Sequence, residues 1–90
     1  MENNNEKKLL DTNIKEESTS KLIIYDDDVN SIQWVIECII KVLKYDVIRA
    51  EQITLIVHNN GKAIAKSGSL DLLKPFKQGL IDKGLSVVIE

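Results

Sequence analysis

A chain of 90 residues has room for one small domain, whose core is adequate only if most apolar side chains are gathered into it. The 12 Lys and Arg residues nearly balance the 14 Asp and Glu residues, which argues against a surface for nucleic acid or anionic membranes. The single cysteine, Cys38, excludes an intrachain disulfide, so we expect a buried thiol in a reducing compartment.

Apolar residues are unevenly distributed along the chain. Among the first 20 residues the apolar ones are Met1, Leu9, Leu10 and Ile14, whereas about half of the later residues are apolar. A segment with so few apolar side chains cannot offset the entropy that it loses on ordering. We therefore expect residues 1–20 to form a disordered extension and residues 21–90 to form the folded domain. No apolar run approaches the length of a membrane span, and we expect a cytoplasmic protein.

The first predicted element is a strand. The stretch "KLIIY" (Lys21–Tyr25) is short, rich in β-branched residues and followed by aspartates. After it, apolar residues recur at helical spacing and predict a first helix, with Asn30 as N-cap and Gln33 as its capping-box partner. Trp34, in the same helix, is predicted to pack in the core. The apolar face of this helix consists of Ile32, Val35, Ile36, Ile39, Ile40 and Leu43.

The rest of the chain predicts two more helices and two more strands. Asp46 as N-cap and Gly61 as a left-handed stop bound a second helix, and "KAIAK" after it can form a short strand. "SGS" predicts a turn, and Ser69 caps a third helix that runs to about Lys83, contains Pro75 and is closed by Gly84. The chain ends on the apolar strand "LSVVIE". The order βααβαβ predicts an α+β fold with three helices on one face of a small three-stranded antiparallel sheet.

Three consecutive aspartates, Asp26, Asp27 and Asp28, follow the first strand. Ionised carboxylates this close repel one another, so such a cluster beside a core indicates a cationic or hydrogen-bonding partner, although aspartates also simply end strands and cap helices. A calcium loop is an alternative, because Asp26, Asp28, Asn30 and Glu37 fall at positions one, three, five and twelve of an EF-hand loop. The glycine of that loop is missing here, and a strand rather than a helix precedes it. A phosphoryl-accepting receiver domain needs further strands, for which the chain has no room.

The lone histidine, His58, falls at the carboxyl end of the second predicted helix. A histidine there is often structural, because the helix dipole favours its cation. Together with the aspartates, however, the imidazole could offer several acceptors around one point, with Ile32, Val35 and Val57 alongside. Such a site suits a small ammonium group attached to a bulky apolar side chain.

These segments resemble the ClpS adaptors, which bind proteins bearing a destabilising amino-terminal residue and hand them to a Clp-family ATPase for degradation. The acidic stretch "YDDD", the helix "WVIECIIKVL" and the stretch "AEQITLIVHNNGKAIAK", with its Val-His-x-x-Gly-Lys pattern, carry the resemblance. It needs no gap from Leu22 to about Lys66, and with a small deletion near Lys83 it extends to Glu90. The fold that the resemblance implies agrees with the βααβαβ order read from the residues.

The resemblance implies a role for each matching position. Asp26, Asp27 and His58 match the residues that bind the α-amino group. Asp28 and Asn30 match positions that order the loop and approach the peptide backbone. The positions that match the lining of the side-chain pocket are Ile32, Val35, Thr54, Val57 and Leu85. Docking onto the ATPase is expected on the third helix, where Asp71 matches an acidic position. Phe76 stands at the expected basic position, and Lys74 and Lys77 flank it.

Three matching positions depart from the family pattern. Asp26 replaces the usual asparagine, which keeps an acceptor but adds a negative charge near the ammonium group. Ile32 stands where methionine often gates the pocket, and Thr54 replaces a typically larger apolar residue. We expect Leu, Phe, Tyr and Trp to remain the preferred first residues.

The resemblance further implies a non-enzymatic, monomeric adaptor of the bacterial cytoplasm. Its expected partners are the amino-terminal domain of a ClpA- or ClpC-type AAA+ ATPase and substrates with destabilising amino-terminal residues. We expect no nucleic acid, membrane, cofactor or metal, and no catalytic residues. The alternatives are a calcium-binding loop protein and a ribosome-associated or scaffolding domain of similar fold.

Overall fold

The computed structural model describes residues 19–90, which form three strands and three helices in the predicted order βααβαβ. In chain order the elements are β1 (Ser20–Tyr25), α1 (Ile32–Leu43), α2 (Val47–Asn60), β2 (Lys62–Gly68), α3 (Leu70–Asp82) and β3 (Ser86–Ile89). The predicted disordered extension lies almost wholly outside the described residues, and β1 begins one residue before the predicted domain boundary. No helix within residues 19–90 combines the length and apolar character needed to cross a membrane.

The sheet has the strand order β2-β1-β3, and both neighbours run antiparallel to the central strand β1. At the carboxyl end of β1, Tyr25 pairs with Lys62, the first residue of β2, and with Ser86, the first residue of β3. The next residue, Asp26, donates its backbone N–H to the carbonyl oxygen of Gly61 at 2.9 Å. The acidic segment therefore leaves the sheet between the end of α2 and the start of β3.

The three helices cover one face of this sheet. Alternate residues of β1, Leu22 and Ile24, are 0% and 1% exposed, and they pack with the apolar faces of the helices. Cys38 is 1% exposed, which confirms the prediction of a buried thiol. Further core residues are Val35, Ile39, Leu43, Ala50, Ile53, Val57, Ala63, Ala65, Leu73, Leu80, Leu85 and Val87.

The predicted caps and stops are confirmed for α2 and α3. The side chains of Asp46 and Ser69 accept hydrogen bonds from backbone N–H groups in the first turns of these helices. Gly61 and Gly84 follow the helices with φ angles of 92° and 93°, a left-handed conformation in which glycine avoids the clash of a Cβ atom. Pro75 lies inside α3, as predicted.

Two predicted boundaries were wrong by a short distance. Ser31, rather than Asn30, caps α1 and accepts a hydrogen bond from the backbone of Trp34 at 3.0 Å. Asn30 is engaged elsewhere, because its side-chain amide donates to Asp27 and to the carbonyl of Gly84. Strand β2 continues through the predicted "SGS" turn as far as Gly68, because the amino-terminal end of β1 extends to pair with it.

The prediction of a core position for Trp34 was also wrong. Trp34 is 39% exposed. Its indole N–H donates to the carbonyl oxygen of Lys83 at 3.0 Å, which satisfies the polar edge of the ring and joins α1 to the end of α3.

Two adjacent leucines of α3 differ in solvent exposure, and this difference provides a test of the fold. Leu73 is 0% exposed and Leu72 is 48% exposed. Leu73→Ala is expected to lower the free energy of unfolding by about 2–5 kcal/mol, because it removes buried methyl groups and leaves a cavity. Leu72→Ala, the matched control, is expected to cost less than about 1 kcal/mol. Urea denaturation followed by circular dichroism measures both, and equal losses would contradict the packing described here.

Candidate functional site

A pocket of about 320 Å³ lies where the β1–α1 loop meets the carboxyl end of α2. Its lining includes every predicted amine-binding, loop and side-chain pocket residue except Leu85, together with Ser31, which was not predicted. The lining residues are Asp26, Asp27, Asp28, Asn30, Ser31, Ile32, Val35, Thr54, Val57 and His58. The structure thus brings the aspartates and the histidine, which are far apart in the sequence, around one cavity.

Backbone hydrogen bonds account for this convergence. Gly61 ends α2 by donating its N–H to the carbonyl of Val57 at 2.9 Å, and its own carbonyl accepts from the N–H of Asp26 at 2.9 Å. The last turns of α2, which carry His58, are thereby fixed beside the first residue of the acidic loop. The closeness of the imidazole and the carboxylates is set by main-chain geometry rather than by a direct contact between them.

The carboxylate of Asp27 is the centre of the loop. Its Oδ1 accepts from the backbone N–H groups of Val29 and Asn30 at 3.0 and 2.9 Å. The side-chain amide of Asn30 donates to Oδ1 at 3.2 Å and to Oδ2 at 2.9 Å. Ser86, on β3, donates its hydroxyl to Oδ2 at 2.9 Å. Asp27, rather than Asp28, therefore supplies the hydrogen bonds that order this loop.

These donors lower the pKa of Asp27 below its usual value. The largest cause is the backbone hydrogen bond from Asn30, which stabilises the charged form, and partial burial opposes it by favouring the neutral form. The side-chain donors of Asn30 and Ser86 and the backbone of Val29 lower the pKa further. Asp27 is consequently a carboxylate at neutral pH.

The other polar groups of the pocket have no such partners. Within residues 19–90, the side chains of Asp26, Asp28 and His58 make no hydrogen bond or ion pair, and all three are exposed. Their oxygen and nitrogen atoms remain available to a ligand. The pocket thus combines one fully engaged carboxylate with two unengaged carboxylates and an imidazole.

The deeper lining of the pocket is apolar. Val35 and Val57 are 9% and 3% exposed, and Ile32 is 40% exposed. Thr54 is 2% exposed and donates its hydroxyl to the carbonyl of Ala50 at 2.8 Å. Because that bond lies within α2, Thr54 brings no unsatisfied donor into the pocket.

Leu85 does not line this pocket, and its predicted contact stays a prediction. Leu85 is 5% exposed and belongs to the core. Its neighbours make the contacts instead: the carbonyl of Gly84 accepts from Asn30 at 2.9 Å, and Ser86 donates to Asp27. The sequence did not identify Gly84 or Ser86 as contacts of the loop. A serine on a strand gives no local signal, and the role of Ser86 depends on the pairing of β3 with β1.

The predicted docking residues lie on α3 and do not line the acidic pocket. Asp71 and Lys74 are largely exposed and form an ion pair at 3.5 Å, and Lys77 is half-buried. A mostly exposed pair of this kind contributes little to stability. The two charges are available to a partner, and the docking role stays a prediction.

A second groove, of about 460 Å³, bears on the calcium alternative. Glu37, which an EF-hand needs to close around the aspartates, lines this groove beside Trp34 and Lys41 and accepts a hydrogen bond from Gln33 at 3.1 Å. Glu37 is absent from the lining of the acidic pocket, so the calcium alternative gains no support. Among residues 19–90, no group of three or more His, Cys, Asp or Glu side chains is placed to hold a metal ion.

Because the pKa of Asp27 is lowered, the free energy of unfolding depends on pH with a known sign. A carboxyl whose pKa is lower in the folded chain than in the unfolded one stabilises the fold above the unfolded value of about 3.9, and this contribution is lost as the pH falls through the folded pKa. Asp27→Asn is expected to lower the free energy of unfolding by about 1 kcal/mol or more at pH 7. One oxygen becomes an NH2 group that cannot accept from the donors of Oδ2, and the hydrogen bonds to the remaining oxygen lose the negative charge. The difference from the unmodified chain should shrink below pH 4 or so.

The control for this prediction is Asp28→Asn, because Asp28 has no hydrogen-bond partner in the described part of the chain. Its free energy of unfolding should stay within about 0.5 kcal/mol of the unmodified chain across the range. Urea denaturation at several pH values measures both variants. A larger effect at Asp28 than at Asp27 would refute the assignment of the loop anchor.

Comparisons with known proteins agree with this fold. The family model "ATP-dependent Clp protease adaptor protein ClpS" matches residues 15–87. The ClpS adapter of Escherichia coli O1:K1 is 43% identical over 51 residues, which cover 57% of this chain and 48% of that protein. The ClpS adapter of Serratia proteamaculans is 41% identical over 59 residues, which cover 66% of this chain and 55% of that protein. The chain thus spans about half the length of the curated relatives it matches.

A solved structure supports the fold. The structure of Agrobacterium tumefaciens ClpS2 bound to L-phenylalaninamide superimposes with a TM-score of 0.78, at 16% identity, over 81% of this chain and 95% of that one. The predicted three-stranded, three-helix architecture is confirmed by this likeness and by the observed elements. Since the family model covers most of the chain, the protein belongs to the ClpS family of Clp protease adaptors.

Proposed function

We propose that this chain is a non-enzymatic adaptor that binds the free amino-terminal residue of substrate proteins and delivers them to a Clp-family AAA+ ATPase for degradation. The observation that carries the proposal is the pocket itself: unengaged carboxylates and an imidazole lie around an apolar cavity. Family membership supports the same function.

The polar rim of the pocket has the chemistry to bind an α-ammonium group. With a pKa of about 7.7 to 8.0, that group is mostly charged at neutral pH and carries N–H donors without any acceptor. Asp26 offers a free carboxylate, and a neutral His58 nitrogen can accept a further hydrogen bond. Asp27 is the third predicted amine-binding residue. Its lone pairs are engaged in the loop, so in this proposal it contributes mainly through its negative charge.

The apolar lining has the chemistry to take the side chain of the first residue. Ile32, Val35, Thr54 and Val57 present hydrocarbon surface without a free hydrogen-bond donor. Burying a large apolar side chain against such a wall is favourable by about 25 cal/mol per Å². Leu, Phe, Tyr and Trp are therefore the proposed ligands, with Leu85 as a predicted further contact. The phenylalaninamide bound by the neighbouring ClpS2 is a ligand of this class.

Delivery involves a different surface in this proposal. Asp71, Lys74 and Lys77 on α3 are proposed to dock a monomeric adaptor on the amino-terminal domain of a ClpA- or ClpC-type ATPase in the bacterial cytoplasm. The exposure of Asp71 and Lys74 supports this role.

The amine requirement can be tested with matched peptides. A peptide that begins with Phe should bind at least about tenfold more tightly than its amino-acetylated twin, because acetylation removes the charge and the donors. A peptide that begins with Ala should also bind weakly, because its side chain leaves the apolar wall uncovered. Isothermal titration calorimetry measures the three affinities, and equal affinity for all three would refute the proposal.

Two substitutions with matched controls locate the amine contact. Asp26→Ala and His58→Ala are each expected to weaken binding of the Phe peptide by about tenfold, since each removes one acceptor from the rim. Glu51→Ala and Asn59→Ala change exposed residues of α2 that do not line the pocket, and they should bind as the unmodified chain does. Unaltered binding by both rim variants would place the amine elsewhere.

Delivery is tested separately from binding. Asp71→Lys reverses a charge on the proposed docking surface and should reduce ATPase-dependent degradation of a Phe-initiated substrate while leaving peptide affinity unchanged. We also propose that residues 1–15 take part in handover, so their deletion should have the same pattern. A degradation assay with purified ATPase and peptidase measures both. Undiminished degradation by either variant would remove the corresponding part of the proposal.

A further inference from the structure

We propose that Ser86 is a positioning residue for amine recognition: it holds the aspartate loop in the one orientation in which Asp26 and Asp28 turn free carboxylates toward the pocket. This inference rests on the proposed function. It assigns a role to a residue of β3 that lies outside the acidic motif and outside the lining of the pocket.

The first step of the argument is that Asp27 has no acceptor capacity left. A carboxylate has about four lone-pair sites. Oδ1 of Asp27 already accepts from Val29, from the backbone of Asn30 and from the side chain of Asn30, and Oδ2 accepts from Asn30 and Ser86. An arriving ammonium group would have to displace one of these donors. Asp27 therefore serves as the anchor of the loop, and its two neighbours keep their lone pairs.

The second step concerns which donors fix the anchor relative to the rest of the molecule. Val29 belongs to the loop itself, so its bond shapes the loop but moves with it. Asn30 also belongs to the loop, but its amide reaches the carbonyl of Gly84 as well. Ser86 is 59 positions away in the sequence and is held by pairing with Tyr25 across β1 and β3. Its hydroxyl therefore ties the carboxylate of Asp27 directly to the sheet.

The third step is that the loop is held from both sides. On the α2 side, the N–H of Asp26 donates to Gly61. On the β3 side, Ser86 donates to Asp27, and Asn30 donates to the carbonyl of Gly84. A binding group that is fixed before the ligand arrives loses less entropy when the ligand binds. Loss of the Ser86 bond would leave the Asn30–Gly84 bond as the tie on the β3 side within residues 19–90, and it would loosen the direction of the free carboxylates.

The charged surroundings of Asp27 define what a pH titration reports. The titratable groups that share the pocket are Asp26 and Asp28 on the loop and His58 on α2. The segment 84–86, which contacts the loop from the other side, has no titratable side chain. A difference between variants at position 86 therefore reflects the hydroxyl and not a change in nearby charge.

Three serine variants test the inference. Ser86→Ala removes the donor, Ser86→Thr keeps a hydroxyl on a residue type that strands favour, and Ser67→Ala removes a serine from β2, outside the pocket, as a matched control. Calorimetry with the Phe peptide and its acetylated twin should show affinity for the free amine falling by roughly three- to tenfold in Ser86→Ala alone. Binding of the acetylated peptide should be the same in all four proteins.

A second measurement reports on the anchor without a ligand. In an NMR titration of the side-chain carboxyl groups, Ser86→Ala should raise the pKa of Asp27, because one donor to the charged form is lost. The loop needs Asp27 ionised, so the pH below which peptide binding is lost should be higher in this variant. Ser86→Thr should restore both the pKa of Asp27 and the pH at which binding is lost.

The outcomes separate this inference from the proposed function. If the unmodified chain binds no free amino-terminus, both fall together. If it binds and Ser86→Ala binds equally well, only the positioning role is overturned. Equal losses in Ser86→Ala and Ser86→Thr would overturn it as well, because they would indicate packing at this position rather than a hydrogen bond.

Discussion

The hydrogen bonds around the Asp27 carboxylate are the constraint on which the site depends. Three adjacent aspartates would repel one another in an unstructured segment, and the fold deals with this by engaging only the middle one. Its oxygens accept hydrogen bonds from the loop and from β3, which stabilises its charge, while Asp26 and Asp28 keep their lone pairs within residues 19–90. The same bonds that stabilise this charge also shape the loop, so the charge of the site and its geometry have one cause.

The location of that carboxylate follows from the sheet. Since β1 is the central strand, its last residue is flanked by the first residues of both neighbouring strands. The loop after β1 consequently contacts the end of α2 through Gly61 and the start of β3 through Ser86. A short chain can therefore build a polar rim and an apolar wall from two segments that are distant in the sequence, and support them from a third.

Much of this arrangement was predictable from the sequence, because its signals are local. The βααβαβ order follows from periodicity and from caps such as Asp46 and Ser69, and the pocket follows from the acidic stretch and the Val57-His58 pair. The features that were missed depend on contacts between distant segments. The role of Ser86 requires the register of β3 against β1, and the extra length of β2 requires a partner strand that extends as far. Trp34 was assigned to the core from its residue type, which does not reveal that Lys83 offers a carbonyl at the surface.

The bond between the Trp34 indole and the Lys83 carbonyl has a practical consequence. Trp34 is two residues from Ile32 in the wall of the pocket, and Lys83 is next to Gly84, which holds Asn30 of the loop. The chain has no other tryptophan. Any rearrangement of the pocket that shifts the start of α1 or the turn before β3 therefore changes the surroundings of one half-exposed indole. The emission of this side chain is an intrinsic optical probe of the site, readable without any attached dye.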